Sequence, residues 1–139
     1  MFFESKRRIA KGPEDVWRVL CDKQRLLDGG FGILRIDGEI APGARFKLWS
    51  EASPKRAFAL RVTEFSPPHR MVWEGGMPLG LFKGVRTFTL TPALGGTDFR
   101  MREDYTGPLS GLIGKSIPDL GPSFEKFADA LKSLSEGAR

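Results

Sequence analysis

Between Arg86 and Gly107 apolar and polar positions alternate twice, either side of a glycine-containing turn. In the second run Thr97, Phe99, Met101, Glu103 and Tyr105 share one face, and Asp98, Arg100, Arg102 and Asp104 share the other. This follows from the period of a strand, whose successive side chains point to opposite sides. The second face is a solvated one. The first is apolar except for its glutamate. A loop over Ala93–Gly96 would set Pro92 opposite Thr97, Leu90 opposite Phe99, Phe88 opposite Met101 and Arg86 opposite Glu103. A two-residue turn at Gly95-Gly96 would instead set Arg86 opposite Tyr105 and Phe88 opposite Glu103. Either register brings Arg86 and Glu103 within side-chain reach on one face, where an opposed pair of unlike charges is favourable.

The same reading extends along the chain. Residues 2–9 alternate as a strand. "KGPEDVWRVLCD" predicts a helix: Gly12 can cap it, Pro13 suits its first position, and Glu14 and Asp15 suit its positive end. Val16, Trp17 and Leu20 form its buried stripe. A short second helix over 23–28 ends at Gly29-Gly30. Strands follow at 33–40, 44–50, 56–65, 70–75, 82–92 and 97–106, with turns at "APG" and "SPPH". In 56–65, Phe58, Leu60 and Val62 alternate with more polar neighbours, the pattern of an antiparallel sheet covered on one side. Leu120, Phe124, Phe127, Leu131 and Leu134 then recur at steps of four and three, the stripe of a long helix. That helix is the element large enough to cover the sheet. The expectation is an α+β fold, with strand, two helices, six strands and long helix in that order.

Composition narrows the function. At 139 residues a single domain over 1–139 is expected. Three Trp and eleven Phe make an aromatic-rich interior that can fill a core or line a pocket. The net charge of +5 does not by itself imply nucleic acid, because Lys and Arg are scattered among 17 acids and no binding motif accompanies them. The one dense basic run, "SKRR", suits an edge strand. A single cysteine, Cys21, excludes an internal disulfide. No apolar run approaches the ~18 residues of a membrane-spanning helix, and "MFFESKRR" lacks the form of a signal peptide, so a cytoplasmic protein without integral membrane association is expected. His69 is the sole histidine, and no ligand-spaced cluster, G-x-S-x-G or phosphate loop is present; no cofactor or metal is expected.

Several segments together resemble the START/SRPBCC superfamily, which includes polyketide cyclase/dehydrase, lipid-transport and birch-pollen-allergen-like proteins. "GPEDVWRVLCD" is similar to its first-helix motif and "IDGEIAPGARFKL" to its second hairpin. "VTEFSPPHRMVWEGG" resembles its strand-turn-strand ending in Trp. "FTLTP", "GGT" and "EDYTG" resemble its last hairpin, and "FEKFADALK" its C-terminal helix. The resemblance implies a helix-grip fold: a seven-stranded antiparallel sheet wrapped around a long C-terminal helix, with two short helices after strand 1. It also implies a cavity between sheet and helix, open at one end, for a largely apolar ligand.

On that frame Arg86 and Glu103 become a polar spot in an apolar cavity. Arg86 could hold a carboxylate or phenolate through its planar fork, and Glu103 could accept a hydroxyl proton or act as a general base. The alternative is a structural ion pair near the sheet's end. The expected lining from the strands is Phe58, Leu60, Trp73, Arg86, Phe88 and Met101, with Glu103 and Tyr105. From the C-terminal segment it is Ile117, Leu120 and Phe124. "GGMPLGLF" at 75–82 could be an apolar lip at the mouth or a packed hairpin. The glycine-broken segment 107–120 could be a loose lid or the docked start of the helix. The expected function is binding of an apolar or aromatic small molecule, lipid- or polyketide-like, by a monomer or weak homodimer. The alternatives are a cyclase- or dehydratase-type enzyme with Glu103 as candidate catalytic residue, and a co-chaperone-like interaction module using an exposed Trp49.

Overall fold

The computed structural model describes residues 1–115 and 119–137. Strand β1 (Phe2–Ile9) leads into helices α1 (Pro13–Leu20) and α2 (Lys23–Asp28). Strands β2 (Ile33–Gly38), β3 (Arg45–Ser50), β4 (Ser53–Ser66), β5 (Arg70–Gly76), β6 (Lys83–Ala93) and β7 (Gly96–Thr106) follow. A short α3 (Ser110–Gly114) precedes the long α4 (Gly121–Glu136). The seven strands form one antiparallel sheet in the order β1-β7-β6-β5-β4-β3-β2. The predicted α+β arrangement and strand count are present, and the "SKRR" strand is an edge.

Local chemistry accounts for the boundaries. Gly12 is extended before α1, Pro13 takes the first turn, and Glu14 and Asp15 lie at the helix's positive end. Asp22 caps α2 by accepting the backbone N–H groups of Gln24 and Arg25. The β6–β7 ladder runs Pro92 to Thr97, Phe88 to Met101 and Arg86 to Glu103. That is the first of the two registers weighed from the sequence. The ladder continues to Ala93 opposite Gly96, so the turn holds only Leu94 and Gly95. Gly96 is required there: a Cβ would fall 2.0 Å from the Ile9 carbonyl oxygen of the adjoining strand. β4 starts at Ser53, three residues before the expected start, because Ser53 pairs with Ser50 across a tight turn.

α4 lies on the concave face of the sheet. Its predicted stripe is the buried one: Phe124, Phe127 and Leu131 are buried, with Ala128 and Ala130 beside them. A chain of ring contacts crosses the core. Phe46 meets Trp73 at 5.1 Å, Trp73 meets Phe88 at 4.7 Å, Phe88 meets Phe127 at 5.8 Å and Phe127 meets Phe31 at 4.9 Å. Polar contacts tie α4 to the edge strand β1: the Ser5 hydroxyl donates to Glu125, and Arg7 donates to Glu125 and Asp129.

The two ends of this grip differ. At one end α1 closes the concave face, with Trp17 against Phe65 at 5.2 Å and the Thr97 hydroxyl donating to the Lys11 carbonyl at 2.6 Å. At the other end the β5–β6 loop meets the chain just after β7, where the Leu109 N–H donates to the Leu81 carbonyl at 2.9 Å, and the first turn of α4 sets Phe124 against Arg86. Arg86, Glu103 and Tyr105 lie near this open end.

Candidate functional site at the open end of the grip

The registers place the polar residues in one cross-strand row. Phe3 of β1 is opposite Glu103, Glu103 is opposite Arg86, Arg86 is opposite Trp73, and Trp73 is opposite Val62. The next row toward the opening runs Tyr105, Gly84, Gly75 and Leu60. Two adjacent glycines therefore remove side chains from the middle of the sheet beside Arg86. Little space is left there: a Cβ on Gly84 would stand 3.3 Å from the Tyr105 ring, and one on Gly75 2.8 Å from Leu60.

Arg86 is held from two sides. Its Nε donates to Glu103 Oε1 at 2.7 Å, and its guanidinium carbon lies 4.7 Å from the Phe124 ring centre. The pair is largely but not wholly shielded, with side-chain exposures of 22% for Arg86 and 15% for Glu103. The other carboxylate oxygen of Glu103 accepts the Tyr105 hydroxyl. The two terminal guanidinium nitrogens of Arg86 have no protein partner among the described residues. They are the donors available to an incoming group.

The Tyr105 ring stacks on Phe82 at 5.6 Å and meets Phe3 edge-on at 6.1 Å. Burial first, and the Glu103 carboxylate second, push its phenol above the ordinary value of 10.0. Tyr105 is therefore a neutral donor across the working range. The raised value favours the folded state fully below pH 10.0, and that contribution is lost as pH climbs further. The chain has one tyrosine, so its phenolate absorbance reads this residue alone. An alkaline titration is expected to show no phenolate step near the ordinary tyrosine value while the protein stays folded. A normal step in the folded protein would mean that Tyr105 is solvated and released from Glu103.

The expected lining residues divide into two groups. Trp73, Phe88, Met101 and Phe124 are buried to 2% exposure or less and belong to the packed core. Leu60, Arg86, Glu103, Tyr105 and Leu120 are half-buried around the open end, and Phe58 is 41% exposed at the rim. Ile117 lies outside the described residues. Trp49, expected to be exposed, is half-buried, with the Arg35 guanidinium 4.8 Å from its ring centre. The sequence reading missed Phe3, Phe82 and the Gly75–Gly84 pair. A surface cleft of about 500 Å³ beside α4, lined by residues such as Gly29, Glu125, Lys126 and Asp129, shares none of the row's residues.

Burial pushes the Cys21 thiol up to about 12, so it is no thiolate near neutrality. His69 is an exposed turn residue with Nδ1 3.3 Å from the Leu90 carbonyl oxygen. Among the described residues no cluster of His, Cys, Asp and Glu is arranged to hold a metal ion. None of their helices is long and apolar enough to cross a membrane.

Residues 3–136 match the family described as polyketide cyclase / dehydrase and lipid transport. The chain belongs to this family. No curated protein matches it. Solved structures of the same fold include protein MLL2253 from Mesorhizobium loti, 20% identical with a TM-score of 0.77, covering 100% of this chain and 99% of that one. Hypothetical protein jhp0584 from Helicobacter pylori is 15% identical with a TM-score of 0.78, covering 97% and 88%. Protein CV1439 from Chromobacterium violaceum is 20% identical with a TM-score of 0.71, covering 97% and 96%. At these identities the likeness is one of fold. The family description spans polyketide cyclases, dehydrases and lipid-transport proteins.

Proposed function

We propose that this member of the family binds an apolar or aromatic small molecule carrying one acidic, phenolic or carbonyl group. The observation that carries this reading is Arg86. Its guanidinium is fixed by Glu103 and Phe124 at the open end of an apolar concave face, with its terminal donors left without a protein partner among the described residues. A few placed polar groups in an apolar setting orient ligands in this way. A planar guanidinium suits a carboxylate or phenolate because it donates in a fork. The ligand's apolar body would rest against Leu60, Leu120 and Phe124. Tyr105 and Phe82, stacked beside Gly84, would swing or shift as it enters.

The same geometry favours binding over general-base catalysis by Glu103. Both of its oxygens already accept a hydrogen bond, one from Arg86 and one from Tyr105. That arrangement makes Glu103 a positioning residue for Arg86.

Native mass spectrometry of the protein purified gently from its own cells tests the proposal, with a denatured control to identify what is released. An apolar species with an acidic or phenolic group is expected, and Arg86→Leu should lower its occupancy about tenfold through loss of the charge-assisted hydrogen bonds. A clean mass that added fatty acids and aromatic acids leave unchanged would overturn the proposal. Equal occupancy in wild type and Arg86→Leu would remove Arg86 from it.

A further inference from the structure

Exposed apolar side chains gather at the open end. Leu79 in the β5–β6 loop is 96% exposed and Leu112 on α3 is 71% exposed. Met77 and Leu81 in the same loop are also exposed, and by the strand registers exposed Phe58 and Leu34 lie toward the same end of the sheet. Leu94 in the β6–β7 turn is the large apolar residue equally exposed at the opposite end. Scattered exposed leucines need no explanation, but a cluster at one pole marks a contact surface.

Leu79 adds a second sign. Its backbone sits at φ 62° and ψ 20°, the left-handed region that disfavours a Cβ. Glycine or asparagine would occupy that position at less cost. The chain instead keeps a leucine there, strained and facing water, with no packing inside the molecule to offset it. Outliers of this kind mark functional segments.

Charge names the partner. On the outer face of β5, β6 and β7 the cations have carboxylate partners: Arg70 with Glu64, Lys83 with Glu74, Arg100 with Glu4 and Arg102 with Asp104. On β3 exposed Arg45 and Lys47 have none among the described residues. At the open end Arg35, Lys55, Arg56 and Lys115 are exposed and have no carboxylate partner among the described residues. Of the nearby acids, Glu51 is paired with Lys126 and Glu103 with Arg86, while exposed Asp119 accepts only the Gly121 N–H among the described residues and keeps its charge. The open end is thus an apolar rim flanked, among the described residues, by four unpaired cations against one unpaired carboxylate, Asp119.

We infer that this end docks on an anionic lipid bilayer. Leu79, Leu112 and Met77 enter the boundary between headgroups and acyl chains, while Lys55, Arg56 and Lys115 meet the headgroup phosphates. Interfacial apolar anchors combined with basic residues hold peripheral proteins on anionic membranes. A second copy of the chain fits less well, because it would bring the same unpaired cations face to face. Docking in this pose sets the end of the sheet beside Arg86 against the lipid surface. The inference does not depend on which ligand, if any, binds beside Arg86.

Co-sedimentation of the full chain with vesicles of mixed phosphatidylglycerol and phosphatidylcholine tests it, against vesicles of phosphatidylcholine alone. Binding to the anionic vesicles is expected to exceed the neutral case by about tenfold and to weaken as salt is added. Leu79→Asp with Leu112→Asp should reduce it about tenfold again, through loss of the interfacial anchors. Lys55→Glu with Arg56→Glu should do the same through the headgroups. Leu94→Asp at the other pole should bind like wild type. All of these side chains are exposed, so melting temperatures should be unchanged. Failure to bind anionic vesicles, or equal loss in Leu94→Asp, would overturn the inference. So would a concentration-dependent dimer abolished by the Leu79 and Leu112 changes, which would assign the rim to a second copy. A chain that carries its small molecule yet ignores vesicles would sink the docking surface alone.

Discussion

Trp73→Ala is expected to remove about 3–5 kcal/mol of stability, the usual cost of deleting a buried aromatic side chain. Trp73 is 1% exposed, and its indole fills the core between Phe46 and Phe88. Neither neighbour can collapse into the vacated volume without giving up its own ring contacts. Against a total near 5–15 kcal/mol for a domain of this size, such a loss leaves a marginal protein. Trp73→Phe should behave differently. The indole N–H is buried with no hydrogen-bond partner among the described residues, and an unmet donor costs about 1–3 kcal/mol. Phenylalanine removes that donor while keeping most of the ring, so a net change below about 1.5 kcal/mol is expected. Urea unfolding at constant m-value separates the two variants. A Trp73→Ala midpoint close to wild type would mean that the indole borders solvent in an open cavity rather than a packed core.

How far the sequence carried depends on the range of each interaction. The β6–β7 register was legible because alternation fixes which side chains share a face and the turn limits the slip. From there Arg86 and Glu103 met as expected, at 2.7 Å. The α4 stripe was legible for the same local reason. Contacts made across distant strands were not. Phe3 stands opposite Glu103 because β1 adds to the sheet beside β7, and nothing in "MFFESKRR" announces that partner. Gly75 and Gly84 fall within the expected strands 70–75 and 82–92, but nothing along the chain says that the sheet sets them side by side. Phe58 follows the inward period of β4 but lies toward the β3–β4 turn and remains 41% exposed. Period gives a side chain's face; how far the covering helix reaches decides its burial.

That distinction bears on the glutamate of the apolar face. Arg86→Leu alone is expected to cost about 1–3 kcal/mol, because it leaves the largely shielded Glu103 carboxylate with only the Tyr105 hydroxyl. Partial exposure keeps this below the cost of breaking a fully buried pair. Glu103→Leu alone should also destabilise, by stranding the guanidinium over Phe124 with one charged partner gone. The double variant Arg86→Leu/Glu103→Leu should lose less than the sum of the two, with a coupling of about 0.5–3 kcal/mol. Strict additivity in urea unfolding would mean that water screens the pair and that Glu103 does not hold Arg86. Ligand occupancy should not follow stability across the same set. Glu103→Gln keeps an acceptor for the Arg86 Nε, so it should retain more ligand than Arg86→Leu even where the two are equally stable. The reverse order would make Glu103 the group that meets the ligand. The structure favours the first order: Glu103 is occupied on both oxygens, and Arg86 alone has donors to spare.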